Sequence, residues 1–139
     1  MVTVPGKPGD DLAPGTLDTG RMEETTILYR PVGAKELRLI RESEYRVFAP
    51  RLPGQPIFYP VLNEEYATQI ARDWNANGSE SKVGYVTRFA VKTGYLAQFT
   101  VEKVGGALHL EYWIAAENLP EFNQNIVGKI AVVSEFHAQ

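Results

Sequence analysis

"GALHLEYWIAAENL", residues 106–119, holds the alternation on which the reading of the fold turns. In a strand, successive side chains leave on opposite sides of the backbone. Leu108, Leu110, Tyr112 and Ile114 then share one face, and His109, Glu111 and Trp113 the other. A carboxylate on a core strand needs a partner or water. The polar face therefore reads either as the wall of a cleft or as packing at a sheet edge. Gly105-Gly106 supplies a turn just before it, so "YLAQFTVEKV" (95–104) and this stretch are expected to form a hairpin.

Upstream, "VGYVTRFAV" (83–91) puts Val83, Tyr85, Thr87, Phe89 and Val91 on one strand face. "NEEYATQIARDWN" (63–75) predicts the clearest helix. Asn63 can cap it, Glu64 and Glu65 suit its positive end, and Tyr66, Ile70 and Trp74 form an apolar stripe read as core. "TTILYRP" (25–31) reads as a short strand closed by Pro31, and "GAKELRLIRES" (33–43) as a helix burying Leu37 and Ile40. "YRVF" (45–48) is a strand candidate, and "APRLPGQP" (49–56), with three prolines, is an irregular loop. "IFYPV" (57–61) is a short edge strand interrupted by Pro60. After the hairpin, "AAENLPEFN" (115–123) reads as a short helix and "GKIAVVSEF" (128–136) as a last strand.

The order of elements predicts an α+β fold: mostly antiparallel strands in one split sheet or two small sheets, with two to three helices. A length of 139 residues suits one domain, placed over 25–139. Residues 1–24, rich in Pro, Gly and Asp and without periodicity, read as a disordered leader. With 44% hydrophobic and 22% charged residues, the composition is that of an ordinary globule. No apolar run reaches the roughly 20 residues of a membrane span, no signal peptide opens the chain, and a cytoplasmic location is expected. A net charge of −3 with scattered Lys and Arg argues against nucleic acid. The absence of cysteine removes disulfides and thiolate metal sites, and no metal is expected. There is no phosphate loop, dinucleotide glycine fingerprint or nucleophile elbow.

Three residues stand out at strands or strand edges: Arg30 in "LYRPVG", Tyr59 in "PIFYPV" and Glu111 in "HLEYWI". Brought to one hollow, an arginine would grip an anion, a ring would stack on a planar group and a carboxylate would stabilise positive charge. The ordinary structural roles are a salt bridge for Arg30, half-buried packing for Tyr59 and Trp113, and an exposed position for His109.

"LYRPVGAKELRLI", "RLPGQPIFYPVLNEEYATQIARDWN", "GYVTRF" and "EYWIAAENLPEFNQNIVG" resemble a family of small bacterial proteins often labelled "ADP-ribosylation/crystallin J". More distantly, the element order resembles the ADP-ribosyltransferase fold, in which NAD lies in a cleft between two small sheets. That resemblance implies NAD as substrate, with Arg30 gripping it and Tyr59 against the nicotinamide; Trp113, on the same strand face as Glu111, either walls such a cleft or packs at the sheet edge. It also implies catalytic roles for Glu111, beside the nicotinamide ribose, and His109, orienting the acceptor. The nicotinamide–ribose bond would be cleaved, with transfer to water or to an acceptor such as a protein. This chain joins the arginine of one class of these enzymes to the tyrosine of another. A different class of function also fits: a non-catalytic protein-binding module, accessory or toxin-neutralising, on a degenerate version of the same fold.

Overall fold

The computed structural model describes residues 24–78 and 81–138. The leader expected over 1–24 thus lies, but for Glu24, outside the described residues. In chain order the first half holds β1 (Thr25–Gly33), α1 (Ala34–Glu42), β2 (Ile57–Phe58) and α2 (Glu64–Ile70), which continues as a π-helical segment over Ala71–Ala76. The second half holds β3 (Val83–Lys92), α3 (Thr93–Leu96), β4 (Val101–Lys103), β5 (Leu110–Tyr112), β6 (Ile114–Ala115), α4 (Leu119–Gln124) and β7 (Ile126–His137). The class is α+β, as the sequence predicts, and the described residues hold antiparallel sheets and four α-helical segments instead of two to three.

β1, β3 and β7 form a three-stranded sheet in the order β1-β3-β7. β4 and β5 form the expected hairpin, and β2 pairs with β6. One residue joins these sheets. Val61 bridges to Tyr29 of β1 on one side and to Glu111 of β5 on the other. The spatial order therefore runs β4, β5, segment 60–62, β1, β3, β7. The pairs Ile57–Ala115, Phe58–Ile114 and Val61–Glu111 keep a single register. Tyr59 thus falls opposite Trp113, and Pro60 opposite Tyr112, whose N–H donates to the Pro60 carbonyl at 3.0 Å.

The two faces bury different material. On one, Leu28, Val32, Phe58, Phe89, Ile114 and Phe122 make the main core, with α1 adding Leu37 and Ile40. Phe48 meets Phe58 and Phe89 at centroid distances of 5.0 and 4.9 Å, tilted and edge-on. Rings so buried are worth about 3–5 kcal/mol each against truncation to alanine. On the other face Val61, Ala67, Ala71 and Val86 form a smaller cluster beneath α2. The small residues matter here, because they let α2 lie close on the sheet. A Cβ on Gly84 of β3 would collide with the Ala71 carbonyl oxygen, so glycine at 84 is a packing requirement.

Several expectations are corrected. β1 runs through Pro31 to Gly33, with Pro31 opposite Val86. Tyr29 N–H points to Val61; two residues on, the proline nitrogen faces the same side, past the bridge, where no donor is required. Residues 45–48 are not a strand. Ser43 Oγ accepts from Arg46 and Val47 N–H, both at 3.2 Å, and Glu44 and Tyr45 take positive φ, so the chain turns instead of extending. Residues 95–100 are mostly helix and turn, leaving only Val101–Lys103 in the hairpin. Trp74 is 72% exposed, whereas the stripe placed it in the core. The wider π-helical turn shifts the phase after Ile70, turning Ala71 and Ala76 inward and the indole outward.

Candidate functional site

Glu111 is buried, at 7% exposure, although it stands on a short strand near the edge of the sheet. Its register with Val61 and Tyr29 sets its direction, since residues directly opposite one another share a face. That face is the one covered by α2. There Tyr66 Oη donates to Glu111 Oε2 at 2.8 Å, and Trp113 Nε1 donates to Oε1 at 2.7 Å. Both carboxylate oxygens are thus held by neutral donors.

Tyr66 is itself fixed by local structure. Asn63 caps α2 as the sequence predicts: its Oδ1 accepts from Tyr66 N–H at 2.8 Å, while its Nδ2 donates to Leu108 O at 2.6 Å. One side chain therefore ties the start of α2 to the entrance of β5 and sets the height of the Tyr66 ring above Glu111. Burial pushes the Tyr66 phenol well above its ordinary ionisation range, and the hydrogen bond to Glu111, the Glu111 charge and nearby Tyr59 push it further. It remains a donor across the whole physiological range.

His109 lies against Tyr66, with ring centroids 4.6 Å apart. Gly106 N–H donates to His109 Nδ1 at 3.0 Å, which assigns the ring proton to Nε2, 3.1 Å from Gln69 Oε1. Both imidazole nitrogens are engaged, and the ring braces Tyr66. Any Cβ on Gly105 would strike His109 Nδ1, so this glycine is what admits the imidazole.

Arg30 projects from the opposite face, being the next residue along β1 from Tyr29. It is 5% exposed. Its Nε and Nη2 donate to the two oxygens of Glu36 at 2.8 and 3.1 Å, and Nη1 reaches Tyr59 O at 3.4 Å. The guanidinium also lies 4.6 Å from the Phe58 ring centroid and 5.3 Å from that of Tyr59. Arg30 and Glu111 are therefore not two walls of one hollow. Tyr59 stands between them: its ring touches the arginine side, and it acts on the ionisation of Tyr66 on the carboxylate side. Trp113, opposite Tyr59 and half exposed, gives the carboxylate side its solvent edge.

Two residues of interest escaped the sequence reading. Tyr66 was placed in an apolar stripe, although a buried tyrosine hydroxyl usually seeks a partner. Arg51, close in sequence to Arg38, Arg41 and Arg46, reads there as an ordinary solvated or paired arginine. In the structure it sits beside the Arg30–Glu36 pair with Nε buried and without a hydrogen-bond partner. Among the described residues no group of three or more His, Cys, Asp or Glu is placed to hold a metal, and no helix is long and apolar enough to cross a membrane. No protein-family model, curated protein or solved structure matches this chain.

Proposed function

We propose that the protein is an ADP-ribosyltransferase-like domain that binds NAD and cleaves its nicotinamide–ribose bond. The single observation that carries this reading is the Glu111 carboxylate, buried where β5 meets segment 60–62 and held by Tyr66 and Trp113 with no charge of their own. Its two hydrogen bonds bring no opposing charge to this carboxylate and fix its position. When nicotinamide departs with the electron pair of the C–N bond, positive charge develops on the ribose. An oriented anion beside it lowers that barrier. Water or another acceptor then adds its oxygen to the sugar carbon and loses a proton.

Tyr59 and Trp113, opposed across the same register, supply the planar surfaces for a flat leaving group. His109 serves here by bracing Tyr66, since neither ring nitrogen is left to receive an acceptor proton. Arg30, bound to Glu36, supports the back of Tyr59. The test is nicotinamide release from NAD by purified protein, with Glu111→Gln as control. Release by the wild type, reduced about 10²–10³-fold in the variant with NAD binding retained, is the expected result. Absence of both nicotinamide release and calorimetric NAD binding removes the reading.

A second reading, a non-catalytic binding module, is favoured by the engagement of Arg30 and His109 with the protein's own groups. It expects no nicotinamide release from the wild type and no consequence of Glu111→Gln for partner binding.

A further inference from the structure

Beside the first turn of α1 lies a cavity of about 370 Å³ that shares no residue with the Glu111 centre. Its wall includes Gly33, Lys35, Glu36, Arg51, Gln55 and Ser81. That volume falls in the usual range for small-molecule sites, roughly 300–1,000 Å³. Glu36 contributes little free charge, since both its oxygens are bound by Arg30. Among the described residues of the wall, the uncompensated charges are then those of Arg51 and Lys35, and both are positive.

Arg51 is the informative residue. Its Nε is buried and lacks a hydrogen-bond partner, which is uncommon for a guanidinium and costly in free energy. Burial and the adjacent Arg30 charge both work against its protonated form, more than Glu36 and Tyr59 favour it. A second cation placed beside Arg30 and partly dehydrated is a strained arrangement, relieved when an anion enters. The guanidinium fork matches the oxygens of a phosphate, which it can hold through two parallel hydrogen bonds. Gly33 caps α1 without a side-chain bond, so nothing from its own position occupies this corner of the cavity.

We propose that this cavity binds the phosphate or pyrophosphate group of a small ligand, with Arg51 as the principal contact and Lys35 as a secondary one. The inference stands apart from the NAD reading, because it uses none of Tyr66, His109, Glu111 or Trp113. Two sources share the chemistry: a free phosphate compound, or the pyrophosphate of a dinucleotide reaching past Tyr59.

The test is titration of the isotope-labelled protein with inorganic pyrophosphate, followed by amide NMR shifts. Saturable shifts at residues 33–36 and 51–55 are expected, with affinity weakened at least tenfold in Arg51→Gln and by a smaller factor in Arg51→Lys, which retains charge but not the fork. Thermal melting of each variant separates lost binding from lost folding. Glu111→Gln should leave pyrophosphate binding unchanged, so failure here and failure of the NAD reading are separately visible. Competition by NAD for the same shifts assigns the site to a dinucleotide, and binding without such competition assigns it to a free phosphate compound. Absence of saturable shifts, or equal affinity in a folded Arg51→Gln, overturns the proposal.

Discussion

Glu36 and Glu111 are two carboxylates shielded by the same sheet, one on each face, and they are balanced in opposite ways. Glu36 meets a guanidinium through two parallel hydrogen bonds, so its charge is cancelled where it stands. Glu111 meets a phenol and an indole, which hold its oxygens without cancelling anything. The first arrangement fixes architecture by pinning the start of α1 to β1. The second stores an oriented negative charge, which is what a reaction passing through a cation requires. A carboxylate's partners are thus a better guide to its role than its burial.

The comparison can be broken most severely on the Glu36 side. Replacing Glu36 with alanine strands Arg30 in the core, and chemical denaturation should show a loss of about 3–5 kcal/mol. A loss under 1 kcal/mol would mean that Arg30 relaxes to solvent and that the pair is not architectural. On the other face, Glu111→Gln should act on chemistry more than on folding. Nicotinamide release should fall by about 10²–10³-fold while the denaturation midpoint moves by the equivalent of only about 1–2 kcal/mol. Should stability collapse while release is unaffected, the two carboxylates would have exchanged their assigned roles.

Smaller changes sharpen the same contrast. Tyr66→Phe removes one donor from Glu111 and should cost about 1–2 kcal/mol, with release reduced in the same direction as for Glu111→Gln. Asn63→Ala, which loosens α2 from β5, should cost about 1 kcal/mol by unfolding and lower release only modestly.

A further effect is one of pH. Tyr66 and Tyr95 both have phenols raised by burial, that of Tyr95 to about 12, helped by the Glu121 charge and hydrogen bond. A folded-state value above the unfolded one contributes stability that is full below about pH 10 and is lost as the pH rises through the folded value. Urea midpoints should therefore be level up to about pH 9 and decline between about pH 10 and 12. The decline should be shallower in Tyr66→Phe, and an unchanged slope would remove Tyr66 from the account.

Much of the architecture could be read along the chain wherever local signals agreed. The Asn63 cap with Glu64 and Glu65 behind it and the alternation of residues 83–91 each became the element they predict. The hairpin also forms, but its turn falls at 107–108, where His109 N–H donates to the Gly106 carbonyl, and not at Gly105-Gly106. The reading failed where a single side chain or one extra residue changed the geometry. Ser43 Oγ turned "YRVF" away from extension. The π-helical segment rotated Trp74 into solvent, against a stripe drawn at the α-helical period. Tyr66 was hidden for the same reason, since that stripe assigned its ring to the core and gave its hydroxyl no task.

What the sequence by itself determined, then, is most of the elements, the α+β class and the residues carrying charge or a ring at strand positions. Periodicity and capping are local properties, settled by neighbours a few positions away. Only the tertiary structure decided which of those residues meet. Val61 links β1 to β5, and because strand faces alternate with every residue, that one pairing sends Glu111 to Tyr66 and Arg30 to Glu36 on the far side. Pairing between strands some thirty and fifty residues apart leaves no trace in local pattern, yet a shift of one position would exchange the two faces and every partner on them.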